Sequence, residues 1–188
     1  MRKVIESTLV SIDGVIGDPP AWASEYFGTE AEQAALEQLL DSDAMLMGRR
    51  TYEMFAAMSL TATGGYADRM NSIRKYVFSS TLEKADWNNT TIIRGDPATA
   101  VAELKQDDGQ PLVMYGHGPL GQTLLEHQLL DELHFMIHPV FVGGGTLLFR
   151  EIGKTPLRLA GTKTLDTGVV VLTYQPARHG SATAGSGS

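Results

Sequence analysis

The chain has no cysteine. Disulfides, thiolate metal sites and a thiol nucleophile are therefore excluded. Positive charge is scarce: 15 Lys and Arg against 22 Asp and Glu leave a net charge of −7. With no basic stripe to neutralise a phosphate backbone, a nucleic-acid partner is not expected. No stretch approaches the ~20 apolar residues of a membrane span. The residues after Met1-Arg2-Lys3 lack the apolar run of a signal peptide, so a cytoplasmic, non-membrane protein is the expectation. There is no G-x-S-x-G elbow and no Walker pattern, which leaves hydrolase and kinase chemistry without support. His134 and His138 would stand about 13 Å apart on a strand and cannot share an ion, so no metal is expected.

What is present is a globular composition, 43% hydrophobic and 20% charged, of the kind that builds a packed core. Residues 1–177 read as a single domain. From Arg178 the sequence is rich in Gly, Ser and Ala, and 178–188 reads as a flexible tail. Lys3 to Ser11 reads as a first strand, followed by a long loop from Ile12 to Gly28. Thr29 and Glu32 fit a capping box that opens a helix to about Leu40. Ala44 to Met47 is a short buried strand; it runs into Gly48-Arg49-Arg50-Thr51, where a helix starts with Tyr52 and Phe55. Thr61 to Gly65 reads as a loop. Strands follow at Lys75–Phe78 and Thr90–Arg94. Asp96-Pro97 opens a helix that uses Val101 and Leu104. Leu112–Tyr115 is a strand. The helix after it carries Leu120, Leu124, Leu125 and Leu129 on one face, and a strand at Leu133–His138 follows. Asp166-Thr167-Gly168 joins Leu157–Leu165 to Val169–Gln175 as a hairpin. This alternation predicts an α/β sandwich with a mostly parallel sheet and an antiparallel C-terminal hairpin.

Three strand ends carry residues suited to phosphate. Gly116, Gly118 and Gly121 satisfy G-x-G-x-x-G between a strand and a helix, where free N–H groups and a partial positive charge meet anions. A dinucleotide fingerprint also needs an acid at the end of the next strand. Here that place is His138-Pro139, so a Rossmann dehydrogenase is disfavoured. His117 reads equally as a phosphate contact or as an exposed ring. Gly48-Arg49-Arg50-Thr51 puts two guanidinium groups and a hydroxyl at a helix start. Ser79-Ser80-Thr81 offers three hydroxyls. Each alone also reads as an ordinary turn, cap or solvated surface. Together they lie where open α/β sheets bind ligands.

In chain order these pieces resemble the dihydrofolate reductase superfamily, most closely the riboflavin-biosynthesis reductase branch, the RibD C-terminal domain family. The resemblance covers about Lys3 to Gln175. It rests on Ser11-Ile12-Asp13-Gly14-Val15-Ile16-Gly17, Met47 to Glu53, Val77 to Thr81, Gly116 to Leu120, and Asp131 through Phe149 with its three glycines 143–145. It implies a dihydrofolate reductase-like three-layer sandwich and NADPH as cofactor. It places Gly48, Arg49, Arg50 and Thr51 on cofactor phosphates, with an arginine on the 2′-phosphate beside Ser79, Ser80 and Thr81. Gly116, His117, Gly118, Pro119 and Leu120 would cradle the pyrophosphate, and Ile16 would close over the nicotinamide. Trp22 and Gly144 would border the substrate. The folate enzymes' acidic proton donor has no clean counterpart, which leaves Glu25, Asp13 or an ordered water to supply the proton. The implied activity is hydride transfer to a pyrimidine- or pterin-like heterocycle, or to a small carbonyl or imine. This is similar to 5-amino-6-(5-phosphoribosylamino)uracil reduction. The alternative is a non-catalytic NADP(H)-binding sensor or scaffold. Folate enzymes carry two glycines in the pyrophosphate turn, joined by a cis peptide; here the second is His117, which leaves the peptide's geometry open. A homodimer is expected, because the apolar hairpin run Val169-Val170-Val171-Leu172 offers an edge that needs covering.

Overall fold

The computed structural model describes residues 1–59, 61–148 and 153–177. Eight strands form one sheet: β1 (Val4–Ser11), β2 (Ala44–Gly48), β3 (Arg74–Phe78), β4 (Thr90–Ile93), β5 (Leu112–Tyr115), β6 (Glu132–His138), β7 (Leu157–Thr164) and β8 (Val170–Pro176). Their order is β4-β3-β2-β5-β1-β6-β8-β7. The first six strands of that row run parallel, and β8 and β7 are antiparallel to their neighbours.

Side chains alternate across the strands and so build a core on each face of the sheet. Ala44 and Leu46 of β2, with Leu112 and Met114 of β5, pack with Val101 of α5 (Pro97–Gln106) and Leu120 and Leu124 of α6 (Gly118–Glu126). The intervening Met45, Met47 and Val113 pack the other way. They meet Leu39 of α2 (Thr29–Leu40), Tyr52 of α3 (Arg49–Ser59) and Met70 of α4 (Gly65–Ser72). Burial on both faces explains why β2 is an unbroken apolar run. From β1 the chain moves outward through β2 and β3 to β4, then returns to place β5 and β6 on either side of β1. The direction reverses at the centre of the sheet, where open α/β sheets hold their ligands.

Several local expectations are corrected. The loop after β1 contains a short helix, α1 (Pro19–Trp22), and a 3-10 turn at Ser24–Tyr26. The capping box at Thr29 does not form. Gly28 is the N-cap and no side chain caps the helix, so Thr29 stands one position too late to close the box with Glu32; Glu30 of the first turn instead accepts from the Asp166 N–H at 2.8 Å and pairs with Lys163 at 3.0 Å. Helix α4 had no counterpart in the sequence reading, whereas α3 begins at Arg49, within the Gly48–Thr51 turn as expected. The Val169–Leu172 run is not at an edge: β8 lies between β6 and β7, and the terminal strand on that side is β7. The Asp96 cap does form, its Oδ2 accepting from the Thr99 N–H at 2.8 Å. The 178–188 tail and Phe149 lie outside the described residues.

Candidate functional site

Strands β3, β2 and β5 are neighbours, so the three phosphate-suited junctions stand side by side at one edge of the sheet. Direct contacts join them. Arg49, at the start of α3, donates from Nη1 to Thr81 Oγ1 at 2.8 Å and from Nε to Glu53 at 2.6 Å. The Ser79 hydroxyl oxygen accepts from the N–H groups of Thr81 (3.2 Å) and Leu82 (2.9 Å), which shapes its own turn. On the far side, Arg94 donates to the carbonyls of Ser80 (3.1 Å) and Leu82 (2.7 Å). Two guanidinium groups therefore clasp the Ser79–Leu82 turn. Sequence reasoning passed over Arg94, although its position just after β4 is the same kind of strand end as the other three. Arg50 and Ser80 are exposed beside this clasp.

The β5 junction meets the β2 junction through Thr51, whose Oγ1 lies 3.9 Å from where a side chain on Gly116 would begin. Gly116 has φ 77°, His117 φ −82° and ψ −76°, and Gly118 φ 49°. Backbone that alternates in hand over successive residues turns its N–H groups toward one point, which is the form of an anion nest. The Gly116–His117 peptide is trans. Pro119 lies in the first turn of α6 and has no N–H to contribute. Leu120 is buried in the core. The His117 ring is neither exposed nor turned outward. It is buried, with Nδ1 3.0 and 3.1 Å from the two oxygens of Glu6, a fully buried carboxylate on β1. Thr8 donates to the same carboxylate at 3.0 Å. Glu6 and Thr8 were not read from the sequence; a carboxylate and a hydroxyl two apart in a strand look like solvent-facing alternation.

The loop after β1 is locked onto the glycine loop before residue 148. Ile16 N–H donates to the Thr146 carbonyl at 2.8 Å, and Leu148 N–H to Gly14 at 2.8 Å. Asp13 accepts from Ser11 Oγ at 2.5 Å and from the N–H groups of Gly143 (2.7 Å) and Val142 (3.2 Å). The Ser11 hydroxyl first, and then these two N–H groups, hold its carboxyl down at about 2. Asp13 is thus ionised at neutral pH and committed to joining two loops, a state that does not donate protons. Glu25 is exposed in the 3-10 turn. Trp22 donates from its indole N–H to the Gly17 carbonyl at 2.7 Å, and its ring meets His138 edge-on at 5.4 Å. Tyr26 meets His138 from another side at 5.7 Å. His138 is buried with Nδ1 bonded to the Met136 carbonyl at 2.8 Å, and burial lowers its pKa. Gly144 is exposed, with open space where a side chain would be.

On the other side of Gly116, Tyr115 ends β5 beside Phe55 of α3, with ring centroids 5.8 Å apart. Its hydroxyl is buried beside that of Tyr66. Burial first, and then the nearby Tyr66 hydroxyl, raise its pKa well above the usual range. Burial pushes Tyr66 up to about 12, partly offset by Tyr115. Both phenols are therefore protonated across the physiological range.

A parallel α/β sheet with a reversed strand order, three phosphate-suited turns on adjacent strands and an antiparallel terminal hairpin defines a dihydrofolate reductase-like fold. The chain belongs to the RibD C-terminal domain family, which matches residues 2–171. It is 29% identical over 172 residues to the uncharacterized protein YwjB of Bacillus subtilis (strain 168), covering 89% of this chain and 95% of that one. To the uncharacterized protein YyaP of the same organism it is 26% identical over 179 residues, 92% and 94% of the two chains. Among solved structures it resembles a protein ascribed to riboflavin biosynthesis from Shewanella sp. PV-4. There the TM-score is 0.74 and the identity 22%, over 94% of this chain and 99% of that one. It also resembles the diaminohydroxyphosphoribosylaminopyrimidine deaminase/5-amino-6-(5-phosphoribosylamino)uracil reductase of Thermotoga maritima, at TM-score 0.65 and 13% identity. That match covers 94% of this chain but 57% of that protein. At these identities the structures establish a shared fold. No helix among the described residues is long and apolar enough to cross a membrane.

Proposed function

We propose that the chain is an NADPH-dependent reductase that transfers hydride to a small heterocycle or to a carbonyl or imine compound. The observation that carries this is the joining of three anion-suited turns on the adjacent strands β3, β2 and β5, with Arg49 bridging two of them to Thr81 at 2.8 Å. In this reading Gly116–Leu120 receives the pyrophosphate. Arg49 and Arg50, with Ser79, Ser80 and Thr81, receive the 2′-phosphate, and Ile16 and Gly17 border the nicotinamide. Gly48 and Thr51, in the same turn as the two arginines, meet the cofactor phosphates beside them. The residues present fit such a group: guanidinium and hydroxyl groups stand where an NAD-specific site would present a carboxylate. NADPH supplies the hydride; the protein binds it, orients it and excludes water. Trp22 and Gly144 border the substrate side. Glu25 is the carboxyl left for proton delivery, since Asp13 is tied to the Gly143 loop. Assembly into a homodimer belongs to this reading; light scattering after size exclusion tests it.

Fluorescence titration with NADPH and NADH tests the cofactor assignment. Tighter NADPH binding is expected, and replacing Arg49 and Arg50 with Ala should weaken NADPH far more than NADH. Equal affinity, or no binding of either, would overturn it. The commitment of Asp13 to backbone favours a second reading, an NADP(H)-binding sensor without turnover. A screen of pyrimidines, pterins and small carbonyl compounds that leaves NADPH oxidation at its background rate would select that one.

A further inference from the structure

Below the Gly116–Leu120 turn lies a buried pair that hydride transfer itself does not use. Glu6 stands on the central strand β1 with no solvent exposure, and His117 is 6% exposed. A carboxylate taken out of water is destabilising unless its oxygens are satisfied, and an apolar side chain of similar size would suit the core better. Here both oxygens face the His117 ring nitrogen, at 3.0 and 3.1 Å, and Thr8 holds one of them at 3.0 Å. The helix above is shaped around the pair. A side chain at Gly121 would begin 2.6 Å from Glu6 Oε2 and 2.8 Å from His117 Nδ1. The turn itself is Gly-His-Gly, so two of its three residues have no side chain and little conformational preference of their own. The His117 ring is the one side chain within Gly116–Gly118 that can anchor it.

We infer that Glu6 is a positioning residue for the anion-binding turn: through the His117 ring it fixes the alternating backbone of Gly116, His117 and Gly118. The free energy of ordering that turn is then spent during folding, not during binding, which is how preorganisation raises affinity. This rests on the proposal that the turn receives the cofactor's pyrophosphate. It adds the prediction that a residue with no ligand contact sets affinity for that part of the ligand alone.

The test compares NADPH with adenosine 2′-phosphate, which carries the 2′-phosphate but no pyrophosphate, by fluorescence titration well below the melting temperature. Glu6→Gln keeps the shape and removes the charge. It should weaken NADPH about tenfold, the scale of one charge-assisted hydrogen bond, and leave adenosine 2′-phosphate within about twofold of wild type. A purely structural role would weaken both ligands or neither, and either outcome overturns the inference. Failure of the wild type to bind NADPH overturns the cofactor assignment and this inference with it. Wild-type binding matched by Glu6→Gln overturns the inference alone. If Glu6→Gln does not fold, Thr8→Val carries the same comparison. It leaves the carboxylate and removes one hydrogen bond, with an expected loss of about threefold for NADPH only.

Discussion

An alanine at Gly121 would place its Cβ within 2.6 Å of Glu6 Oε2, 2.8 Å of His117 Nδ1 and 3.1 Å of Met114 Cε. Helix propensity favours alanine by about 1 kcal/mol. Met114 is flexible enough to move, but the carboxylate and the imidazole hold each other in place, so crowding wins. Gly121→Ala should lower stability by about 1–3 kcal/mol, read as a shift in the urea midpoint; an alanine variant more stable than wild type would show that the pair is not close-packed. The third glycine of G-x-G-x-x-G was legible as a glycine that mattered, but its reason was not. The pattern suggests a ligand, whereas the space is taken by a carboxylate from a strand more than a hundred residues earlier in the chain. Asp13 was legible as a special carboxylate, but its tie to the N–H groups of Val142 and Gly143 was not, because those partners lie 129 and 130 residues further along the chain. Its pKa is lowered from 3.8 to about 2. A carboxylate with a depressed folded-state pKa adds stability above its unfolded pKa and loses it as pH falls through the folded one. Thermal melts between pH 4 and pH 2 should therefore fall less steeply for Asp13→Asn than for wild type; parallel acid limbs would mean that the clamp does not form.

Helix α5 announced itself through Asp96-Pro97, where the capping residue and its partner are local. Asp96 Oδ2 accepts from both the N–H and the hydroxyl of Thr99, at 2.8 and 2.7 Å. Asp96→Ala should cost about 1 kcal/mol in a denaturant melt. Helix α2 shows the opposite case: Thr29 and Glu32 had the right spacing for a capping box, yet Gly28 is the N-cap, and Glu30 in the first turn reaches Asp166 and Lys163 of the hairpin, contacts no local pattern contains. Strand β3 was legible, but not its inward lysine. Lys75 is fully buried, donating to the carbonyls of Asn71 (3.2 Å), Ile73 (2.8 Å) and Asn88 (2.9 Å), with Nζ 4.3 Å from the Trp87 ring centre. Burial, and secondarily the Arg69 charge, lower its pKa from 10.5 to about 8. The unfolded chain then holds this proton more tightly than the folded one between those two values. Lys75 therefore makes stability rise from about pH 8 toward pH 10, by at most ~1.4 kcal/mol per pH unit. Lys75→Met should remove that rise. Above pH 10 the raised pKa of Tyr66 acts with the opposite sign, so the comparison is read below it.

At the scale of the whole molecule, the number and kind of strands were readable from alternation and turn residues, but their order was not. Parallel neighbours are joined through long crossovers, and nothing local says that β5 inserts between β1 and β2. The apolar Val169–Leu172 run illustrates the ambiguity. It was read as an exposed edge that needed covering, whereas its strand lies inside the sheet between β6 and β7. The true edge, β7, carries Arg158, Lys163 and a register shift between Leu159 and Gly161, devices that discourage pairing with another chain. The strand order is what gathers residues 48–51, 79–82 and 116–120, three separate stretches of chain, onto adjacent strands. If one extended ligand spans them, their backbone amides should become protected together. Hydrogen exchange followed by mass spectrometry with saturating NADPH should slow exchange in all three segments at once, and leave the β7–β8 hairpin at its unliganded rate. Exchange slowed in only one segment would mean that the three turns do not form a single site. Uniform slowing that included the hairpin would reflect global stabilisation, without showing where the cofactor lies.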